Sequence, residues 1–459
     1  MTRILAWTTA AIAVSVAADP HCARSAERPN FIIFVADDMA AEDCGAYGHP
    51  NIRTPHIDRL AREGMLFERA FLTCSSCSPS RASLLTGSYP HQTGAQRLHM
   101  PLPVEQIIFP ELLRDAGYHT ASIGKWHLGT AAQKKLDRVS ANLADWRKVF
   151  DERPAGRPFF LWLASYDPHR PYGERNVARR HRPEDAVVPP YLPDAPETRR
   201  DLADYYDEIA RFDGLVGEVL EELDRRALAE NTFVLFLSDN GRPFPRCKTT
   251  VYDSGIRTPW IVRRPGEVRA GTRTASLISA IDLAPTLLDL AGVDAPSTMT
   301  GKSFRPILDD PHAEIREHVF AEHDWHDFDD HQRAVRTVRF KYIRTAYPDV
   351  PLTPPADAVR SPTFQAMRRL RDEGKLTVER SICFRAPRPA EELYDLDSDP
   401  FELRNLAASA EHRAKLERLR DVLDRWERET GDRVPERRTP DGFDRETGVP
   451  LPRSNKESQ

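Results

Sequence analysis

The chain has 459 residues, 40% of them hydrophobic and 29% charged, which suffices for one large domain and a smaller one. Its 65 basic and 70 acidic residues leave a net charge of -5, which argues against a nucleic-acid partner. An anionic ligand would have to be held by locally clustered Lys, Arg and His. Arg3 followed by an uncharged, largely apolar run from Ile4 to Ala18, and then by small residues, reads as a signal peptide over residues 1–26. That run is too short for a comfortable membrane span, and no other segment reaches the required length, so the expected location is exported, with no membrane contact after cleavage.

Apolar runs and helical patterns then alternate, the signature of an α/β sheet covered by helices. Strands are predicted at Phe31 to Val35, His119 to Ile123, Pro158 to Ala164 and Thr232 to Leu237. Thr54 and Pro55 read as N-cap and first residue of a helix that carries Ile57, Leu60 and Ala61 inward. A long amphipathic helix is expected from Arg199 to Ala227, with Leu202, Tyr206, Ile209, Val216, Leu220 and Leu223 on its apolar face. The pattern changes near residue 315. Val319 to Ala321, Ala334 to Val338 and Lys341 to Arg344 read as short antiparallel strands, and Ala410 to Glu429 as a closing helix with Leu416, Leu419, Leu423 and Trp426 inward. The expected domains are 27–315, a smaller one over 316–435, and a loose polar tail over 436–459.

Two predicted strands end in oxygen-rich pairs, Asp37-Asp38 and Asp239-Asn240, and ligands collect beyond the carboxyl ends of strands in such sheets. Three carboxylates and an amide suit calcium or magnesium, although either pair alone is common turn chemistry. Cys74-Ser-Ser-Cys77 has the spacing of a redox or zinc pair. Six cysteines in so long a chain do not make a disulfide framework.

Cys77-Ser-Pro-Ser-Arg81, continued by Ala82-Ser83-Leu84-Leu85-Thr86-Gly87, resembles the signature of formylglycine-dependent sulfatases. A redox pair would not require Pro79, Arg81 or Thr86-Gly87. The resemblance runs from about residue 29 to 430, and several stretches have the form found in sulfamidases: Ser75 to His99, Asp239 to Pro245 with its Pro-Phe-Pro turn, and Ser361-Pro-Thr-Phe-Gln365. Glu392-Leu-Tyr-Asp395 is general to sulfatases.

The resemblance implies an alkaline-phosphatase-like large mixed sheet sandwiched by helices, with a smaller C-terminal antiparallel sheet and packed helix. It implies that a maturation enzyme oxidises Cys77 to formylglycine, whose hydrate has one hydroxyl to take the sulfo group and a second to expel it. By the same resemblance Asp37, Asp38, Asp239, Asn240 and position 77 bind calcium, Arg81 steadies the formylglycine oxygens, and Lys125 and Lys248 hold sulfate. His127 contacts the formylglycine and His169 is the general acid. His99, His323, Asp324 and His326 are candidate pocket residues for a sulfated saccharide, an N-sulfated glucosamine in the sulfamidase form, and a homodimer is allowed. Two departures stand out. The segment between Gly129 and Pro158 is short and polar, and Lys248 replaces the sulfamidase Arg, a point charge in place of a planar fork. A carbohydrate O-sulfatase, a phosphonate or phosphodiester hydrolase of the same superfamily, and a non-catalytic glycan-binding relative are the competing readings.

Overall fold

The computed structural model describes residues 28–173 and 177–452. The expected signal peptide lies outside them, and among the described residues no helix is long and apolar enough to cross a membrane. The strands are β1 (Asn30–Ala36), β2 (Met65–Phe67), β3 (Ala70–Phe71), β4 (His119–Gly124) and β5 (Arg138–Ser140). There follow β6 (Phe159–Ala164), β7 (Thr232–Ser238), β8 (Trp260–Arg263), β9 (Thr272–Thr274) and β10 (Ile278–Ser279). The last four are β11 (Val319–His323), β12 (Gln332–Arg336), β13 (Phe340–Thr345) and β14 (Glu391–Asp395).

Eight of them form a mixed sheet in the order β5-β4-β6-β1-β7-β8-β2-β9. The run from β5 to β7 is parallel, and β8 pairs antiparallel with both β7 and β2. β1 at its centre is buried along its whole length, as its unbroken apolar sequence requires of a parallel strand covered on both faces. Phe31, Ile33 and Val35 pack into one core with Leu84, Leu113 and Leu287; Ile32 and Phe34 pack into the other with Ile57, Leu202 and Ile209. The helices are α1 (Pro55–Glu63), α2 (Cys77–Thr86), α3 (Pro196–Arg225) and α4 (Arg413–Thr430), with shorter ones between them.

The smaller sheet, β11-β12-β13-β14, is antiparallel throughout. β12 lies two residues earlier than expected because Thr337 and Val338 are spent on the hairpin turn, where the Thr337 amide donates to the Phe340 carbonyl. α4 covers this sheet through Leu416, Leu419, Leu423 and Trp426, the face expected of it. Just past its end, Asp432 clamps the buried Arg333 guanidinium of β12 with 2.5 and 2.8 Å bonds. Burial raises the Asp432 pKa, but the bonds and charge of Arg333 outweigh it and hold the group at about 2. A depressed acid stabilises the fold above its unfolded pKa and loses that contribution as pH falls through the folded one. Asp432→Asn is therefore expected to cost roughly 2 kcal/mol at pH 7. In urea titrations the gap to the parent should narrow only below about pH 4.

The stretch expected to be a loose tail is not loose over its described part. Arg445 donates to Asp441 and to the Asp329 carbonyl, and the Trp325 indole donates to the Pro440 carbonyl. Its groups find partners at Asp329, Asp349 and Arg360, which composition alone does not reveal.

Candidate active site

β1, β4, β6 and β7 all release their chains at one edge of the large sheet, and the chemistry-bearing residues emerge there. Asp37 and Asp38 follow β1, Lys125 follows β4, and Asp239 and Asn240 follow β7. Gly124 makes the β4 exit possible. It has φ of +91°, and a Cβ there would stand 1.9 Å from the Ala164 carbonyl oxygen, which accepts the Lys125 amide at 2.9 Å. Gly124→Ala should therefore destabilise the protein by at least about 3 kcal/mol in chemical denaturation and lower turnover by displacing Lys125.

Cys77 begins α2 with its thiol buried. Sulfur lies 3.8 Å from Asp37 Oδ1 and 3.4 Å from Asn240 Nδ2. One turn on, Arg81 is fully buried, donating from Nε to Asp239 at 2.7 Å and from Nη1 to the Lys125 carbonyl at 2.5 Å. Lys125 reaches Asp37 at 2.5 Å and Lys248 reaches Asp38 at 2.8 Å. His169 Nε2 lies 3.8 Å from Asp38, and its Nδ1 bonds the Arg170 carbonyl. Two histidines with positive φ, His99 and His127, face each other at 2.7 Å.

The electrostatics follow from burying so many charges together. Burial raises Asp239 to about 8 despite Arg81, and Asp38 to about 6 despite Lys248. Asp37 goes the other way, because Lys125 and its neighbours overcome the cost of burial. The Cys77 thiol is likewise pulled well below the ordinary thiol value against burial, by the charges of Lys125 and Lys248 and by the neighbouring His127 and His169. Burial and Lys248 lower His169, but Asp38 and Cys77 outweigh them and raise it to about 9.

Ligand atoms of Asp37, Cys77 and Asp239 lie within 4.8 Å of one another, the arrangement a metal ion requires. Cys74 is no part of that cluster, and its thiol is raised well above the ordinary value by burial, so the redox or zinc pairing with Cys77 finds no support. The Asn240 amide nitrogen faces Asp38, Asp239 and Cys77, while its buried Oδ1 has no partner. Turning the amide over would direct Oδ1 at the same point as the carboxylates, a donor set that fits a hard cation.

The fold belongs to a known enzyme family. The sulfatase family model matches residues 29–293, and the model for the C-terminal part of N-sulphoglucosamine sulphohydrolase matches residues 246–351. The chain belongs to the sulfatase family. As a sulfatase it is a hydrolase of sulfate esters or sulfamates. An ulvan-active sulfatase of Formosa agariphila is 36% identical over 88% of this chain and 76% of its own. The human N-sulphoglucosamine sulphohydrolase is 34% identical over 88% of this chain and 90% of its own. A solved structure in complex with its substrate, D-glucosamine-2-N,6-O-disulfate, superposes with a TM-score of 0.69 at 21% identity, over 89% of this chain and 99% of that one. This last likeness bears on the fold, which is the alkaline-phosphatase-like architecture expected.

The other nine predicted catalytic and metal residues thus gather around Cys77. Of the pocket candidates, His99 touches His127, and His326 Nδ1 lies 2.7 Å from Ser76 Oγ, next to Cys77. Asp324 is bound instead by Arg333, with His331 at 3.8 Å, and serves the small sheet. His323, the last residue of β11, is buried beside Asp330 and Arg388. Asp357 was not anticipated. Its Oδ2 is buried without a hydrogen-bond partner, 3.9 Å from His169 Nε2. The nearby Ser361-Pro-Thr-Phe-Gln365 stretch was the only signal that this loop serves the site.

Proposed function

We propose that this sulfatase removes the N-sulfate of glucosamine residues in a sulfated glycan, with formylglycine at position 77 and calcium at the adjoining acidic cluster. The observation that carries the reading is the convergence of Cys77, Arg81, Lys125, Lys248, His127 and His169 around the acidic cluster, described above. The likeness to human N-sulphoglucosamine sulphohydrolase, and the match of its C-terminal family model, support the sulfamate preference.

Asp37, Asp38, Asp239 and Asn240 would hold the calcium, which supplies Lewis-acid polarisation of a sulfate oxygen. Formylglycine supplies a hydroxyl nucleophile with a built-in release step. The chain's own residues do the rest. Lys125 and Lys248 form a fixed cationic cup for the sulfuryl oxygens, preorganised by their carboxylate partners. His169, whose Nε2 stands 3.8 Å from Asp38 and 3.9 Å from Asp357, gives its proton to the leaving amine nitrogen. His127, fixed by His99 through one ring nitrogen, keeps Nδ1 free of protein partners and turned to position 77. Arg81 anchors Asp239 and ties the β4 exit to α2. Because Cys77 is 2% exposed, a maturation enzyme must reach it before the fold closes, during synthesis and export.

The test is to co-express the chain with a formylglycine-generating enzyme and weigh the peptide containing Cys77. A loss of about 18 Da, trapped by an aldehyde reagent, is expected. An intact thiol, with a control sulfatase matured alongside, would sink the mechanism. The likeness to an ulvan-active sulfatase favours a second reading, a carbohydrate O-sulfatase. Release of sulfate from N-sulfoglucosamine, but not from 6-O-sulfated glucosamine or ulvan oligosaccharides, separates the two.

A further inference from the structure

A cleft of about 380 Å³ opens at the end of the parallel strands opposite to Cys77. It is lined by Arg28, Asn30, Arg153, Arg157, Leu228 and Asn231 among others, with no Asp or Glu among the lining residues. These residues flank the starts of β1, β6 and β7, whereas the catalytic residues follow their ends. A seven-residue strand puts roughly 20 Å between the two places.

Among the described residues, three guanidiniums converge here without a carboxylate. A guanidinium carries five N–H donors, yet Arg28 gives one bond to the Ala116 carbonyl and Arg153 one to the Arg157 carbonyl. Arg157 gives two, to the carbonyls of Gly117 and Tyr118. Aromatic rings hold two of the planes, Tyr118 under Arg28 and Phe159 under Arg153. The carboxylates nearby are already engaged: Asp151 and Glu222 by Arg226, Glu152 by Arg138, and Asp137 by the Thr120 amide and hydroxyl beside His119. Burial, and then the charge of Arg226, lower the pKa of Arg153, as expected of a cation lacking a counter-charge. Protein-bound arginines left with most donors unused, on backbone-fixed planes, are the recognition chemistry of a tetrahedral oxyanion.

We propose that this cleft binds a sulfate group carried on a glycan, as an anchoring site separate from the catalytic centre. The volume leaves room for a sugar ring beside the sulfate, and Leu228, Pro158 and Ala227 offer it an apolar wall. The choice of a glycan as carrier rests on the proposed function; the oxyanion chemistry does not.

The test titrates a sulfated heparin-type hexasaccharide into the full chain carrying Cys77→Ala, which cannot turn it over, by calorimetry. Two classes of site are expected. Adding Arg28→Ser and Arg153→Ser should weaken one class by at least about tenfold and leave the other. The same pair in the catalytically intact chain should leave kcat on a monosaccharide sulfate unchanged. If the pair lowers the melting temperature, Arg153→Glu alone, whose side chain gives one backbone bond, should show the same loss. Unchanged stoichiometry and affinity in both variants overturns the site. Sodium sulfate or sodium phosphate binding as tightly as the hexasaccharide overturns the glycan assignment. Because binding is read without turnover, failure of the N-sulfatase reading would appear separately, as inactivity on N-sulfoglucosamine.

Discussion

Replacing Cys77 by alanine is expected to cut sulfate release by at least about 10⁴-fold while leaving the fold intact. The thiol contributes a single 3.4 Å contact from Asn240 and a 3.8 Å approach to Asp37, so little packing is lost with it. What is lost is the atom on which Lys125, Lys248, His127 and His169 all act. The comparison with Cys77→Ser is informative, because serine restores a hydroxyl but no aldehyde. If formylglycine is the nucleophile, serine should stall with sulfate attached after at most one turnover, visible as a stoichiometric mass increase without steady-state release. Steady turnover by the serine variant would exclude a mechanism that needs the aldehyde.

The second large effect is expected at Asp239. Asp239→Asn removes one carboxylate from the cluster with Asp37 and Cys77, and it also takes from Arg81 its 2.7 Å partner. The parent should gain thermal stability on adding calcium, by about 2.7 kcal/mol at a hundredfold excess over Kd. The variant should lose that calcium-dependent gain, and its turnover should fall by at least about 10³-fold. Calorimetry in chelator and in calcium reads the first effect without any activity. A calcium-dependent rise in melting temperature that survives in the variant would move the cation away from this cluster.

These effects centre on a site that was largely legible before any coordinates. The signature from Cys77 to Gly87, the two oxygen-rich strand ends, and the Lys125, His127, His169 and Lys248 segments carry local chemistry that survives any rearrangement around them. The central strands were equally plain, because a parallel strand buried on both faces must be continuously apolar. Short strands such as β2, β9 and β10 were not, since two or three residues hold no periodicity and are defined only by their neighbours.

What the sequence alone determined is therefore the family, the candidate position of the nucleophile and the order of the central strands and long helices, all of which depend on residue type and local spacing. Tertiary structure decided the rest, because it depends on which distant residues meet. Thr54, the expected N-cap of α1, makes no capping bond; Asp213 on α3 accepts the His56 and Ile57 amides in its place. Asp324 looked like His323 and His326 on paper. Folding brought it to Arg333 of the small sheet instead, at 3.2 Å. Asp357 came to His169, and Arg28 met Arg153 and Arg157 at the far end of the strands, through chain closure that no local pattern encodes. Burial then set the charges. The same carboxyl group is pushed up in Asp239, where burial outweighs Arg81, and held down in Asp37, where burial is outweighed by Lys125 and its neighbours.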